Sequence, residues 1–278
     1  MRNRWFHKPL FHIHHEKNEK KVGWLELFYD LIFVASFIQL GNGLSKDISL
    51  GGFFQFSGVF LTLWLVWTGF TVYSNRFTVD DFLHRVLAFI QMFMVGGMAL
   101  SAPLFLKGDS LFFTLTYASA QAILAVFFYR AHWQQKLAHN YSLYWGNIFA
   151  AGSVLWFITS IFNTQYNWIF WAAATVLVIS APLNKRSRRL EELYPMDHEH
   201  MSERFGLLTI IVLGESFVKV LSSLSETAAF ATVFLQASVT LLLICSIWWI
   251  YFDDVADSEL EQEKFKPIIW FFSHIPLQ

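Results

Sequence analysis

Eight stretches of the chain, at 24–44, 52–73, 83–106, 111–131, 144–162, 166–182, 203–223 and 229–252, run near 20 residues almost without charge. That is the length an α-helix needs to cross about 30 Å of hydrocarbon. In lipid the backbone N–H and C=O groups of each run must be satisfied internally, which selects the helix. Composition agrees. The chain is 55% hydrophobic and 15% charged, where a soluble domain is nearer a quarter charged, and its mean hydropathy is +0.42. It therefore reads as an all-α polytopic membrane protein of about eight transmembrane helices. A ninth apolar run begins near Pro267 and has only reached Gln278. The expectation is a chain cut inside a helix, with its helical domain incomplete at the C-terminus. Residues 1–22 read as a polar, basic tail rich in histidine, and 23–278 as the membrane domain. The tail lacks the apolar core and small-residue cleavage site of a signal peptide. Cys245 stands alone inside a span, so no disulfide framework exists and the residue reads as a small buried hydrophobe.

Lys and Arg alternate between the connections. The tail carries Arg2, Arg4, Lys8, Lys17, Lys20 and Lys21, and the even connections carry Arg76, Arg85, Arg130, Lys136 and Lys185 to Arg189. The odd connections carry only Lys46 and Lys107. By the positive-inside rule the N-terminus is cytoplasmic and the first and seventh helices run outward. A net charge of −1 argues against a nucleic-acid partner.

Charges within the apolar runs are the chemistry-bearing residues, because an ionised side chain at the bilayer centre costs about 2.5–3.5 kcal/mol on insertion scales. In "WLELFYDLIFV", Glu26 and Asp30 share a helix face near an outward-running N-terminus, where the dipole favours carboxylates. In "YSNRFTVDDFLHR", Arg76 and Asp80, and Asp81 and Arg85, stand at i, i+4 spacing. They read either as two surface ion pairs on a helical loop or as arginines reaching Glu26 and Asp30 at the same depth. In "HEHMSERFGLLTIIVLGESFVKV", Glu215 lies twelve residues past Glu203, about 18 Å into the slab. Arg204 and Lys219 fall on its face. Two readings of Glu215 stand side by side: an ion pair with Lys219 that neutralises both, or a carboxylate left to a cavity, an ion or a proton while Lys219 snorkels outward. His7, His12, His14 and His15, and His198 with His200, lie in predicted loops without a fixed Cys/His framework and read as solvated rather than as metal ligands.

The motifs "WLELFYDLIFV" and "HMSERFGLLTIIVLGES", with "YSNRFTVDD" and "YFDDV" followed by "HIPLQ", resemble the bacterial low temperature requirement A (LtrA) family. The resemblance covers nearly all of the chain beyond residue 20. It implies a multi-pass bacterial inner-membrane protein with several more helices and a link to growth at low temperature. Family-typical positions are Trp24, Glu26, Phe28, Asp30, Arg76, Asp80, His200, Glu203, Arg204, Phe205, Gly206, Gly214 and Glu215. "LELFYDLIFV" and "SERFGLLTIIV" also place Glu two residues before Phe at the start of outward-running helices, as parallel duplicated halves would.

The leading expectation is a transporter or channel for a small solute or ion, proton-coupled through Glu215 at the midplane. Lys219, Glu26, Asp30, Arg76, Asp80, Arg85, Glu203, Arg204 and His200 complete the pathway. Alternatives are a membrane enzyme on a lipid or isoprenoid, with Asp80–Asp81 and Asp253–Asp254 holding Mg²⁺, and a non-transporting sensor or assembly protein. The chain is not expected to be an enzyme, and neither cofactor nor metal is expected. Membrane lipids, a small solute or ion, and further copies of the chain are the expected partners. Single cysteines placed at Ser45 and Asp109 should label from outside intact cells, and those at Asn18 and Ser187 only after permeabilisation. Outside labelling at Ser187 would overturn the helix count.

Overall fold

A computed structural model of the chain describes residues 10–11, 21–44, 49–162, 166–224, 230–256 and His274. The described residues are mainly helical, with short connections and one two-residue antiparallel pairing of β1, Leu10–Phe11, with β2, Phe77–Thr78. It divides into two compact units, 1–197 and 198–278. The first holds α1 (Trp24–Leu44), α2 (Leu50–Arg76), α3 (Phe82–Leu106), α4 (Leu111–Gln134), α5 (His139–Ile161), α6 (Asn167–Ser180) and α7 (Lys185–Leu193). The second holds α8 (His198–Leu224) and α9 (Phe230–Ile250), which ends in a π-helical turn, Tyr251–Ala256.

Each of the eight predicted apolar runs is a helix. Six of these helices are long and apolar enough to cross a membrane: α1 to α4, α8 and α9. The count rises to seven if the bent segment of α6 and α7 is one span. Helix α5 falls short on apolarity, since Tyr141, Ser142, Asn147, Ser153 and Ser160 interrupt its run. Helix α6 has 14 residues, about 21 Å of rise, and the chain turns by 50° into the charged α7. The apolar run beginning near Pro267 lies outside the described residues, as do His7, His12, His14 and His15.

Local signals set the helix ends. Ser49 caps α2 by accepting from the Gly52 N–H at 3.0 Å. Asp81 caps α3 by accepting from the His84 N–H at 2.9 Å. Each satisfies an otherwise orphaned donor of the first turn. At the other end of α3, Gly108 takes φ +97°, so that the Gly108 and Asp109 N–H groups fold back onto the Phe105 and Leu104 carbonyls at 3.0 Å. Only glycine adopts that conformation without strain.

In the first unit, α4 packs along α5, and α3 lies against both α1 and α4. The core is aromatic. Trp64, Trp67, Phe70 and Tyr73 on α2 are fully buried, as are Tyr29 and Phe33 on α1, and Tyr29 stacks on Phe70 at 4.0 Å between centroids. Large apolar side chains such as Phe93, Leu100, Phe112 and Val154 point outward, the inside-and-outside apolarity expected where the surroundings are lipid. Cys245 is exposed on α9, not buried as its sequence context suggests. A helix in lipid turns apolar residues outward as readily as inward. Ser187 is buried on α7, so the exposed Arg189 beside it is the better position for labelling that connection.

Close helix approach depends on Gly69. A Cβ there would meet Leu124 Cδ1 at 2.7 Å and Phe149 Cζ at 2.8 Å. Gly69→Val should overpack the junction of α2 with α4 and α5 and cost about 1–3 kcal/mol, read as a lower melting temperature of the purified protein in detergent. A variant that melts like the wild type would show that these helices do not depend on that contact.

Candidate functional site

Buried charges gather at one end of the first unit, where α2 ends and α3 begins. The "YSNRFTVDDFLHR" segment is not the helical loop with i, i+4 ion pairs that its spacing predicts. Phe77 and Thr78 are extended and pair with Leu10–Phe11, so helical spacing is lost between Arg76 and Asp80. Asp81 is the cap of a new helix rather than a residue within one.

Each charge finds another partner. Arg85 Nε donates to Asp80 Oδ1 at 3.0 Å on the exposed side of the connection. Asp81, fully buried, takes a two-pronged contact from Arg130 on α4, with Nη1 to Oδ1 at 3.1 Å and Nη2 to Oδ2. Arg76, 2% exposed, reaches the Glu191 carboxylate on α7 and donates from Nε to the Tyr194 carbonyl at 3.2 Å. Its guanidinium carbon stands 4.6 Å from the centre of the Tyr141 ring, a cation–π contact that compensates lost hydration. The neighbouring Asn75 amide clamps the Asp197 backbone from both sides, donating to its carbonyl at 2.7 Å and accepting from its N–H at 3.1 Å. The end of α2 thus fixes the connection that follows α7.

The acids of α1 accept hydrogen bonds from backbone and side chain. Glu26 Oε2 accepts from the Gly23 N–H at 2.7 Å, in keeping with the preference for a carboxylate at a helix N-terminus. Asp30, fully buried, accepts from Trp67 Nε1 at 2.7 Å. Next to them sits His84, one turn into α3. Its ring packs among Phe70, Tyr73 and Phe127 at centroid distances of 6.0, 6.1 and 5.1 Å. Its Nδ1 is buried without a hydrogen-bond partner among the described residues. Asp81, Arg130 and Glu26 lie within electrostatic range of it.

In the second unit, His198 and His200 form the first turn of α8 rather than a loop. His200 and Arg204 are fully buried, and Glu203 is exposed. Glu215 and Lys219 are half-buried, and among the described residues no ion pair joins them. Of the two readings of Glu215, the self-neutralised pair is therefore not formed.

Sequence spacing does not reveal Arg130, Glu191, Tyr141, Trp67 and His84 as members of this cluster, because their partners lie far away in the chain. Asp81 and Arg130 are 49 residues apart and Arg76 and Glu191 are 115 apart. One signal is available for His84: with Ala88, Gln91 and Val95 it forms the buried stripe of α3, at i, i+4, i+7 and i+11.

Long apolar helices that bury ion pairs between them define a multi-pass α-helical membrane protein. The chain belongs to the bacterial low temperature requirement A protein (LtrA) family, whose model matches residues 21–278. It is similar to an uncharacterized protein of Rhizobium meliloti (strain 1021), with 28% identity over 280 residues covering 94% of this chain and 67% of that protein. No solved structure matches the chain.

Asp81→Asn keeps an acceptor for the α3 cap but strands a buried guanidinium. It should cost about 3–5 kcal/mol, and adding Arg130→Met should recover most of the loss. Thermal melting of the two single variants and the double variant checks this. Additive losses in the double variant would mean that the two side chains contribute separately.

Proposed function

We propose that the protein is a transporter or channel for a small solute or ion, coupled to proton movement, in the bacterial inner membrane. In this reading all eight helices cross the bilayer with the N-terminus inside, and the protein acts during growth at low temperature, a reading the family's name supports. The observation that carries the proposal is the burial of Asp30, Arg76, Asp81 and Arg130 among apolar helices. Intramembrane ionisable groups are costly and typically mark solute, ion or proton pathways.

The candidate residues of the second unit are Glu215 and Lys219 on α8, with Glu203, Arg204 and His200 at its start; those of the first unit are Glu26, Asp30, Arg76, Asp80 and Arg85. Glu215 is the carboxylate that binds and releases the ion or proton, a role favoured by the lack of an ion pair to Lys219. Lipids and further copies of the chain are its partners, in keeping with a helix α9 on which no described residue from Ala231 to Ile250 is buried. An enzyme built on Asp80–Asp81 is disfavoured, because Arg85 and Arg130 already occupy those carboxylates.

The test is proton flux into proteoliposomes loaded with a pH-sensitive dye, under an imposed potential and with a panel of small solutes. Glu215→Gln should leave the melting temperature unchanged and abolish the flux. Flux equal to wild type in that variant, or none from the wild type under any condition, would sink the proposal.

A further inference from the structure

Two buried glutamines sit on the apolar helices of the first unit, and their surroundings differ sharply. Gln91 on α3 is satisfied within the protein: its Oε1 accepts from the Tyr29 hydroxyl at 2.9 Å and its Nε2 donates to the Ala120 carbonyl at 3.0 Å. Gln121, one residue beyond Ala120 on α4, is 1% exposed. Neither its Oε1 nor its Nε2 has a hydrogen-bond partner among the described residues. The Tyr117 hydroxyl, one turn away on the same face of α4, faces the Gln121 amide without closing a well-formed hydrogen bond and is fully buried. Trp156 on α5 meets the Tyr117 ring edge to face at 4.6 Å. Its Nε1 is also buried and unpaired among the described residues, at 2% residue exposure. The neighbouring Trp171, stacked on Trp156 at 5.6 Å, has its own N–H satisfied by Thr159 Oγ1 at 2.8 Å.

Four polar atoms on two packed helices thus share one neighbourhood with their hydrogen bonds unmade. Buried polar groups are almost always paired, and a cluster of exceptions calls for a cause. Gly152 on α5 makes room for the group, since a Cβ there would collide with Gln121 Oε1. The donors and acceptors are an indole N–H, a phenol that does both, and a primary amide that does both. None carries charge.

We propose that Tyr117, Gln121 and Trp156 form a binding site between α4 and α5 for a small uncharged molecule that both donates and accepts hydrogen bonds. Water and a small neutral solute such as an amide share that chemistry. An ion is disfavoured, because the three side chains supply no counter-charge and an unpaired buried charge is expensive. The site is separate from the charged end of α2 and α3 and does not depend on proton flux.

The sign of a stability change tests it. Removing a buried polar atom that has no partner stabilises a protein, whereas removing one that binds a guest destabilises it. The experiment measures melting of the full chain in lipid nanodiscs for wild type, Tyr117→Phe and Gln121→Met, with and without acetamide, and with sucrose as an osmolyte control. If water is the guest, both variants melt several degrees below wild type in buffer alone and acetamide changes nothing. If the guest is a small solute, acetamide raises the wild-type melting temperature beyond the sucrose control, and both variants lose that rise. Variants that melt at or above the wild type, with no acetamide response in any of the three, would overturn the proposal. Tyr117→Phe deletes a single oxygen, so it reads the sign even if Gln121→Met packs poorly.

Discussion

A carboxylate in an apolar bundle needs both a counter-charge and hydrogen bonds, and Asp81 obtains them from two directions. It accepts from the first turn of α3 and takes a two-pronged contact from Arg130 near the end of α4. The same side chain therefore starts one helix and ties it to another. Because removing either partner would leave a charge stranded in a medium that solvates it poorly, the pair constrains how α3 and α4 meet. Arg76 does the equivalent at the end of α2, tying it to α7 and the following connection through Glu191 and the Tyr194 carbonyl.

Between these charged anchors the bundle is held by aromatic packing and by glycines that admit neighbouring side chains. Lipid provides no hydrophobic drive for helices to associate, so close packing and polar contacts carry that task. Gly69 lets Leu124 and Phe149 approach α2, and Gly152 leaves space for the Gln121 amide. The first unit thus has one end where buried ions are paired and a middle where neutral hydrogen-bonding capacity is left over.

The second unit is built differently. Helix α8 begins with the buried His200 and Arg204 and continues to a half-buried Glu215. Helix α9 is apolar on every side, and none of its hydrophobic span is buried. A helix that is apolar all round meets lipid or other helices over its whole surface.

The apolar helical runs and their approximate limits were legible in the sequence, and six of them are long and apolar enough to cross a membrane. Hydrocarbon thickness and backbone hydrogen bonding act on each segment alone, and both can be read from a run of apolar residues. The acids and arginines within such runs stood out in the sequence as residues out of place, and the family motifs marked Glu26, Asp30, Arg76 and Arg204 among them. Their partners did not. An extended Phe77–Thr78 breaks the helical spacing that would have paired Arg76 with Asp80. Arg130, Glu191 and Trp67 are then supplied from 49, 115 and 37 residues away. The open i, i+4 spacing of Glu215 and Lys219 was likewise a local opportunity that the fold does not use. By itself, then, the sequence determined the kind of element and its medium, because those follow from local free energies of transfer. Which charge meets which counter-charge, and which polar atoms remain for a guest, only the tertiary structure decided, because pairing in a low-dielectric interior depends on distances between helices that no single segment contains.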